Sequence, residues 1–131
     1  MTYQELMVQS LSELLEGDEI LKYPIYGVLQ QKTKRWFSFW GLTDNYLLGA
    51  LLVGSSKKIG WTSRIPLDIK DVQIRKTLVP FQYKIHIEFH EGNPCNLRVS
   101  TKVVGMEQQE ENLARFIKFV QDCSNSNMSN R

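Results

Sequence analysis

The sequence predicts a mainly β domain: about seven antiparallel strands forming a sandwich or barrel, with one helix before them and one after. Three observations carry this reading. Tyr83, Ile85, Ile87 and Phe89 alternate with Lys84, His86, Glu88 and His90, and a period of two places successive side chains on opposite faces of a strand. Segments of this kind recur at short spacing between residues 20 and 103, separated by turn-forming clusters, as in antiparallel sandwiches and barrels. Beyond them, Leu113, Phe116, Ile117 and Val120 fall at i, i+3, i+4 and i+7, which is one face of a helix.

Taken in order, Thr2-Tyr3-Gln4-Glu5 has capping-box spacing, and Met7, Leu11 and Leu14, widened by Leu15, form an apolar stripe. Gly17 tolerates the left-handed backbone of a helix stop, so the spacing predicts an amphipathic helix over residues 3–16. Residues 20–31 read as a strand in which Pro24 marks an edge position or a bulge. Residues 35–42 and 46–53 make a hairpin around Thr43-Asp44-Asn45, residues 59–66 a short strand, and Val72 and Ile74 with Gln73 and Arg75 another. Residues 83–90 and 97–103 pair around Gly92-Asn93-Pro94, with one apolar and one polar face. In the last helix Glu107, Glu110 and Glu111 precede Lys118, the order that suits the helix dipole. Burying its four apolar residues contributes roughly 1.5–3 kcal/mol each before entropy, so this helix is expected to cover an opening between the sheets. Residues 124–131, SNSNMSNR, have nothing to bury and read as a disordered tail. The expected organisation is an appended helix over 1–17, a domain over 18–123 and the tail over 124–131.

The chain has 131 residues, 42% hydrophobic and 23% charged, enough for one domain with its own core. A net charge of +2 does not point to a polyanion, and no nucleic acid partner is expected. The charge is unevenly spread. Residues 1–20 carry Glu5, Glu13, Glu16, Asp18 and Glu19 and no Lys or Arg; residues 21–60 carry Lys22, Lys32, Lys34, Arg35, Lys57 and Lys58 against Asp44 alone. Cys95 and Cys123 form no CxxC, and their expected state is two free thiols in a reducing cytoplasm, with one disulfide left open. The N-terminus lacks the features of a signal peptide, and the longest apolar run, residues 46–53, is too short for a membrane-spanning helix. A soluble cytoplasmic protein is expected.

Catalytic and metal motifs are missing from the sequence. It contains no glycine-rich phosphate loop, no HExxH and no nucleophile elbow. His86 and His90 lie roughly 13 Å apart along an extended strand, too far to share a metal. Cys95 has no neighbour in sequence that would lower its pKa. The expectation is a protein without catalytic residues, metal or cofactor.

Several segments resemble pleckstrin-homology (PH) domains. Tyr26-Gly27-Val28-Leu29, then Lys34-Arg35-Trp36-Phe37, then Leu42-Thr43-Asp44-Asn45-Tyr46-Leu47 are similar to the opening strands and basic loop of that family. Leu14-Leu15-Glu16-Gly17-Asp18-Glu19-Ile20-Leu21, Thr43-Asp44 and Ile65-Pro66-Leu67 with Ile69, Val72 and Ile74 resemble the bacterial branch close to GRAM domains. The resemblance spans about residues 14–122. It implies a seven-stranded, strongly bent antiparallel barrel with one end plugged by the C-terminal helix, used as a binding module. Two departures stand out. Lipid-binding members usually carry a second cation two residues after the first in the second strand, where Trp36 stands here. The terminal helix has Phe116 and Phe119 where many eukaryotic members have a tryptophan.

Two candidate surfaces follow. In KTKRWFSFW, residues 32–40, alternation puts Lys34, Trp36, Ser38 and Trp40 on one face and Arg35, Phe37 and Phe39 on the other, with the phenylalanines expected inside the barrel. Lys32, Lys34, Arg35 and Trp36, joined by Lys57 and Lys58, are candidate contacts for an anionic headgroup. Met7, Leu11, Leu14, Leu15, Trp40 and Trp61 are candidates for an interaction surface, since the helical stripe needs a cover either on its own barrel or on a second copy. The first reading of function is therefore a module for protein interaction or self-assembly. The alternative is a peripheral module at the inner membrane face that binds anionic lipid.

Overall fold

The computed structural model describes residues 1–129. Helix α1 (Tyr3–Ser12) is followed by strands β1 (Lys22–Gln31), β2 (Lys34–Leu42), β3 (Tyr46–Leu52), β4 (Ile59–Pro66), β5 (Ile69–Lys76), β6 (Gln82–Phe89) and β7 (Cys95–Ser100), and then by helix α2 (Gln109–Ser129). The strands form one antiparallel sheet in the order β4-β3-β2-β1-β7-β6-β5. Its inward residues meet in a single core: Ile25 and Leu29 from β1, Trp40 and Leu42 from β2, Leu47 from β3, Ile69 from β5, Ile85 and Ile87 from β6, Leu97 and Val99 from β7. Strands at both ends of the order reach that core only if the sheet curls on itself. Leu113, Phe116 and Val120 of α2 enter the same core, packing across β1 and β5, and close one end of the barrel.

A second core lies on the outside of the sheet. Phe39, Leu48, Ala50 and Leu52 point away from the barrel and are covered by Met7 and Leu11 of α1, with Met106 beside them. The capping box at Thr2 and Glu5 is formed as the sequence predicts. The helix itself stops at Ser12, earlier than residue 16, and Gly17 turns the chain with φ +60°. The segment after it is pinned to β4 by Arg64. Its Nη1 donates to the Leu14 carbonyl at 2.8 Å and pairs with Glu19 at 2.6 Å, its Nε faces Glu16 at 3.2 Å, and its plane lies 4.2 Å from the Tyr46 ring centre. The N-terminal acids thus serve in part to hold this segment down.

Two further expectations change, and the alternative left open at Pro24 is decided. Phe37 and Phe39 face outward, Phe39 under α1 and Phe37 42% exposed against Tyr26, while the tryptophan face of β2 points into the barrel. Alternation separates two faces without saying which is inside, and here both are apolar. Pro24 does not mark an edge. β1 is central, and the ladder to β2 is irregular between Lys22 and Ile25, which is the bulge reading. Residues 124–129 continue α2, with Ser124 only 5% exposed, instead of forming a disordered tail. Extending an existing helix needs only one bond per residue fixed. Residues 130–131 of that expected tail lie outside the described residues.

Gln109, at the start of α2, ties the helix to the sheet. Its Nε2 donates to the carbonyls of Tyr26 at 2.8 Å and Ser100 at 3.0 Å, and its Oε1 accepts from the Tyr26 N–H at 3.0 Å. The β1–β7 ladder pairs only Val28 with Arg98 and Leu29 with Leu97, so this amide replaces backbone pairing where the strands splay.

Candidate binding site at the open end of the barrel

Antiparallel pairing gathers three turns at the end opposite α2. The β1–β2 turn and the β3–β4 turn share it because the strands form a meander. The β6–β7 turn joins them because Leu29 pairs with Leu97, which brings the start of β7 beside the end of β1. Between these turns opens an apolar cavity of about 610 Å³, lined by Trp36, Trp40, Trp61, Leu51, Phe89 and Pro94 among others.

The three tryptophans hold different depths. Trp40 is buried and forms the floor. Its ring lies flat over Gly49, where a Cβ would come within 2.6 Å of the ring, so only glycine leaves it room. Its indole Nε1 donates to Ser38 Oγ at 2.7 Å, and that hydroxyl donates to the Gly27 carbonyl at 2.9 Å, which satisfies both buried polar groups. Trp36 is a half-buried wall. Trp61 stands at the rim, 68% exposed, near Val53 at 50%. Cys95 backs the cavity, and burial pushes its thiol up to about 12, which keeps it protonated and poorly nucleophilic. Both cysteines are free.

The candidate cations share this end of the molecule but not one face. Lys34, Arg35 and Lys58 are exposed. Lys34 has the inward parity of Trp36, and Arg35 has the outward parity of Phe37. Lys57 is occupied: its Nζ donates to the Met1 carbonyl at 2.8 Å and lies 5.0 Å from the Tyr3 ring centre. Lys32, in the tight turn with φ +54°, belongs to a recess on the outer face of the sheet.

Of the candidate interaction surface, Met7 and Leu11 are buried against their own barrel, Leu14 and Leu15 pack at the edge of the same cluster, and Trp40 is interior. Trp61 is the most exposed of the six, and Trp40 is reached only through the cavity. The reading of sequence missed Leu51, Phe89 and Pro94, which complete the cavity, together with Arg64 and Gln109. None carries a motif, and each is defined by strand register.

His86 hydrogen-bonds Asn96, and its Nε2 lies 3.0 Å from Glu88; the bond to Asn96 and then Glu88 raise its pKa above the ordinary imidazole value. His90 sits 3.8 Å from Asp68. Among the described residues no group of three or more His, Cys, Asp or Glu is placed to hold a metal, and no helix is long and apolar enough to cross a membrane.

No protein-family model and no curated protein sequence matches the chain. Solved structures do. The C-terminal domain of an unknown protein from Leishmania infantum matches with TM-score 0.61 at 13% identity, over 92% of this chain and 99% of that one. The hSac2 domain from the human phosphoinositide phosphatase Sac2 matches with TM-score 0.59 at 16% identity, over 96% of this chain and 85% of that one. The fold is PH-like. A looser likeness, TM-score 0.48 at 12% identity over 89% of this chain and 32% of that one, is to the DH/PH domains of PDZ-RhoGEF in complex with activated RhoA. At these identities the likeness is one of architecture, and it does not bear on the bacterial, GRAM-like branch.

Proposed function

We propose that the protein is a non-catalytic, cytoplasmic binding module of PH type that engages a protein partner, or a second copy of itself, through the tryptophan-lined mouth of its barrel. The cavity at that mouth supports the reading: at about 610 Å³ it lies within the range of ligand pockets and suits one or two large apolar side chains. Trp61 strengthens it. Folding gains little from a tryptophan left 68% exposed, whereas tryptophan is among the residues that most often dominate binding energy.

Light scattering separates the two occupants. A mass above 15.3 kDa that returns to the monomer value in Trp61→Glu supports self-assembly, and a monomer at every concentration removes it. For a protein partner, peptides selected from a display library should quench Trp61 emission and lose binding in Trp61→Glu and in Leu51→Glu. Selected peptides indifferent to both substitutions would show that the mouth is not the site.

A peripheral membrane role is the second reading, favoured by the exposure of Lys34, Arg35 and Lys58 around the same mouth. Each cation near an anionic leaflet gains about 1 kcal/mol, so all five candidate cations together would give only roughly millimolar binding. Two of the five, Lys32 and Lys57, are directed elsewhere. Co-sedimentation with phosphatidylserine vesicles at low salt, abolished by Lys34→Glu with Arg35→Glu, is the expected result on this reading. Absence of pelleting at low salt ends it.

A further inference from the structure

The outer face of β1, β7, β6 and β5 contains a second, polar recess of about 450 Å³, separate from the mouth. Strand register builds it. Arg75 on β5 lies directly opposite Lys84 on β6, and Lys84 lies directly opposite Arg98 on β7. All three point outward, because their neighbours Ile74, Ile85, Leu97 and Val99 point into the barrel. Lys32, at the end of β1, lines the same recess. Among the described residues no carboxylate pairs with any of these four cations, and the Arg98 Nε is buried with no hydrogen-bond partner. Two acids share this face: Glu88, which with His86 also lines the recess, lies 3.0 Å from that ring, and Asp71 accepts from Gln73 at 3.3 Å.

Like charges directly opposite on neighbouring strands destabilise a sheet. A solvated polar face would relieve this by alternating signs, and this row does not. We propose that the recess binds a compact ligand carrying two or more phosphate groups. The row of three cations spans two strand spacings, roughly 10 Å, which matches a ligand with several anionic groups rather than one. Two of the three are arginines, whose planar fork takes phosphate oxygens in pairs. An extended acidic peptide fits less well. The recess lies on a sheet face and its cations are aligned across the strands, whereas an added peptide strand pairs along an edge, parallel to the strands.

Calorimetry in low salt with inorganic tripolyphosphate and with inositol hexakisphosphate tests the proposal. Saturable binding is expected, weakened about tenfold or more by Arg75→Gln with Lys84→Gln, since two charge-assisted contacts are removed. A thermal midpoint in that double variant no lower than the parent's shows that the fold is intact. Lys57→Gln with Lys58→Gln, and Trp61→Glu at the mouth, should leave the affinity within about twofold if the site is local, the screening length being about 10 Å at 0.1 M salt. Vesicles bearing a phosphatidylinositol bisphosphate distinguish the source. Binding to vesicles but to neither soluble probe identifies a lipid headgroup; binding to the soluble probes identifies a free polyphosphate. The proposal is overturned if neither form binds, if the Lys57 and Lys58 substitutions weaken binding as much as those at Arg75 and Lys84, or if a poly-glutamate peptide of equal charge binds as tightly.

Discussion

The two halves of the sheet treat their outer faces in opposite ways. Over β2 and β3 the outward residues are Phe39, Leu48, Ala50 and Leu52, and α1 lies on them, so that this part of the sheet is buried on both sides. Over β7, β6 and β5 the outward residues are polar, with Arg98, Lys84 and Arg75 in one row, Asn96, His86 and Gln73 in the next and Glu88 and Asp71 beyond them, and no helix covers them. The same backbone ladder serves both. A sheet face is therefore assigned by its alternate side chains: an apolar set must be covered, and a polar set can stay in water.

The strongest way to break this contrast is on the covered half. Leu11 is fully buried between α1 and the sheet. Leu11→Ala should cost about 2–5 kcal/mol, combining lost burial with the cavity left behind. A fall in the urea midpoint with unchanged slope is the expected readout. A loss below about 1 kcal/mol would mean that α1 rests on the sheet without stabilising it.

Next comes the seam between the halves. Gln109 is 2% exposed and satisfies the N–H and carbonyl of Tyr26 and the carbonyl of Ser100. Gln109→Leu keeps the bulk and strands those backbone groups, which should cost about 1–3 kcal/mol. Amide exchange at Tyr26 should accelerate in the same variant. Unchanged exchange there would show that water takes over the role of the side chain.

These two residues also mark what could be read in advance. Strand number, the terminal helix and its buried Leu113, Phe116 and Val120 were legible because burial on one face leaves a period in the sequence. The orientation of β2 was not, because KTKRWFSFW is apolar on both faces and only the position of α1 decides between them. The extension of α2 past Cys123 was hidden by its serines and asparagines, since a small serine occupies the buried position at 124. The mouth needed Trp36 and Trp61 to be brought together from β2 and β4, and the cationic row needed the register of three strands. Register depends on long-range pairing and has no local signature. The candidate cations were found as residues, but their division between mouth, outer recess and the α1 terminus was not.

On the bare half the effects should be small and of opposite sign. Lys84→Gln removes the middle charge of a row of three, and cross-strand pairs of this kind are worth roughly 0.2–1 kcal/mol. The unliganded variant should therefore be slightly more stable than the parent in low salt, with the difference vanishing in high salt as screening shortens. A loss of stability would show that Lys84 contributes to packing through its aliphatic stem.

The smallest effect lies in the adjoining row, at His86, and its sign can be worked out. The hydrogen bond that His86 Nδ1–H donates to Asn96 Oδ1, and then Glu88, raise the imidazole pKa in the folded protein above 6.5, with Asp71 acting in the same direction. A group whose pKa is raised on folding binds its proton more tightly in the native state. Its stabilisation is complete below pH 6.5 and fades as pH rises through the folded value. The unfolding midpoint should decline over that interval in the parent and decline less in His86→Gln. The imidazole titration followed by NMR locates the folded pKa directly. A polyphosphate seated in the recess, which His86 also lines, adds negative charge beside the ring and should raise that pKa further. If tripolyphosphate leaves the His86 titration where it was, while calorimetry still reports binding, the anion sits somewhere other than the Arg75–Lys84–Arg98 row.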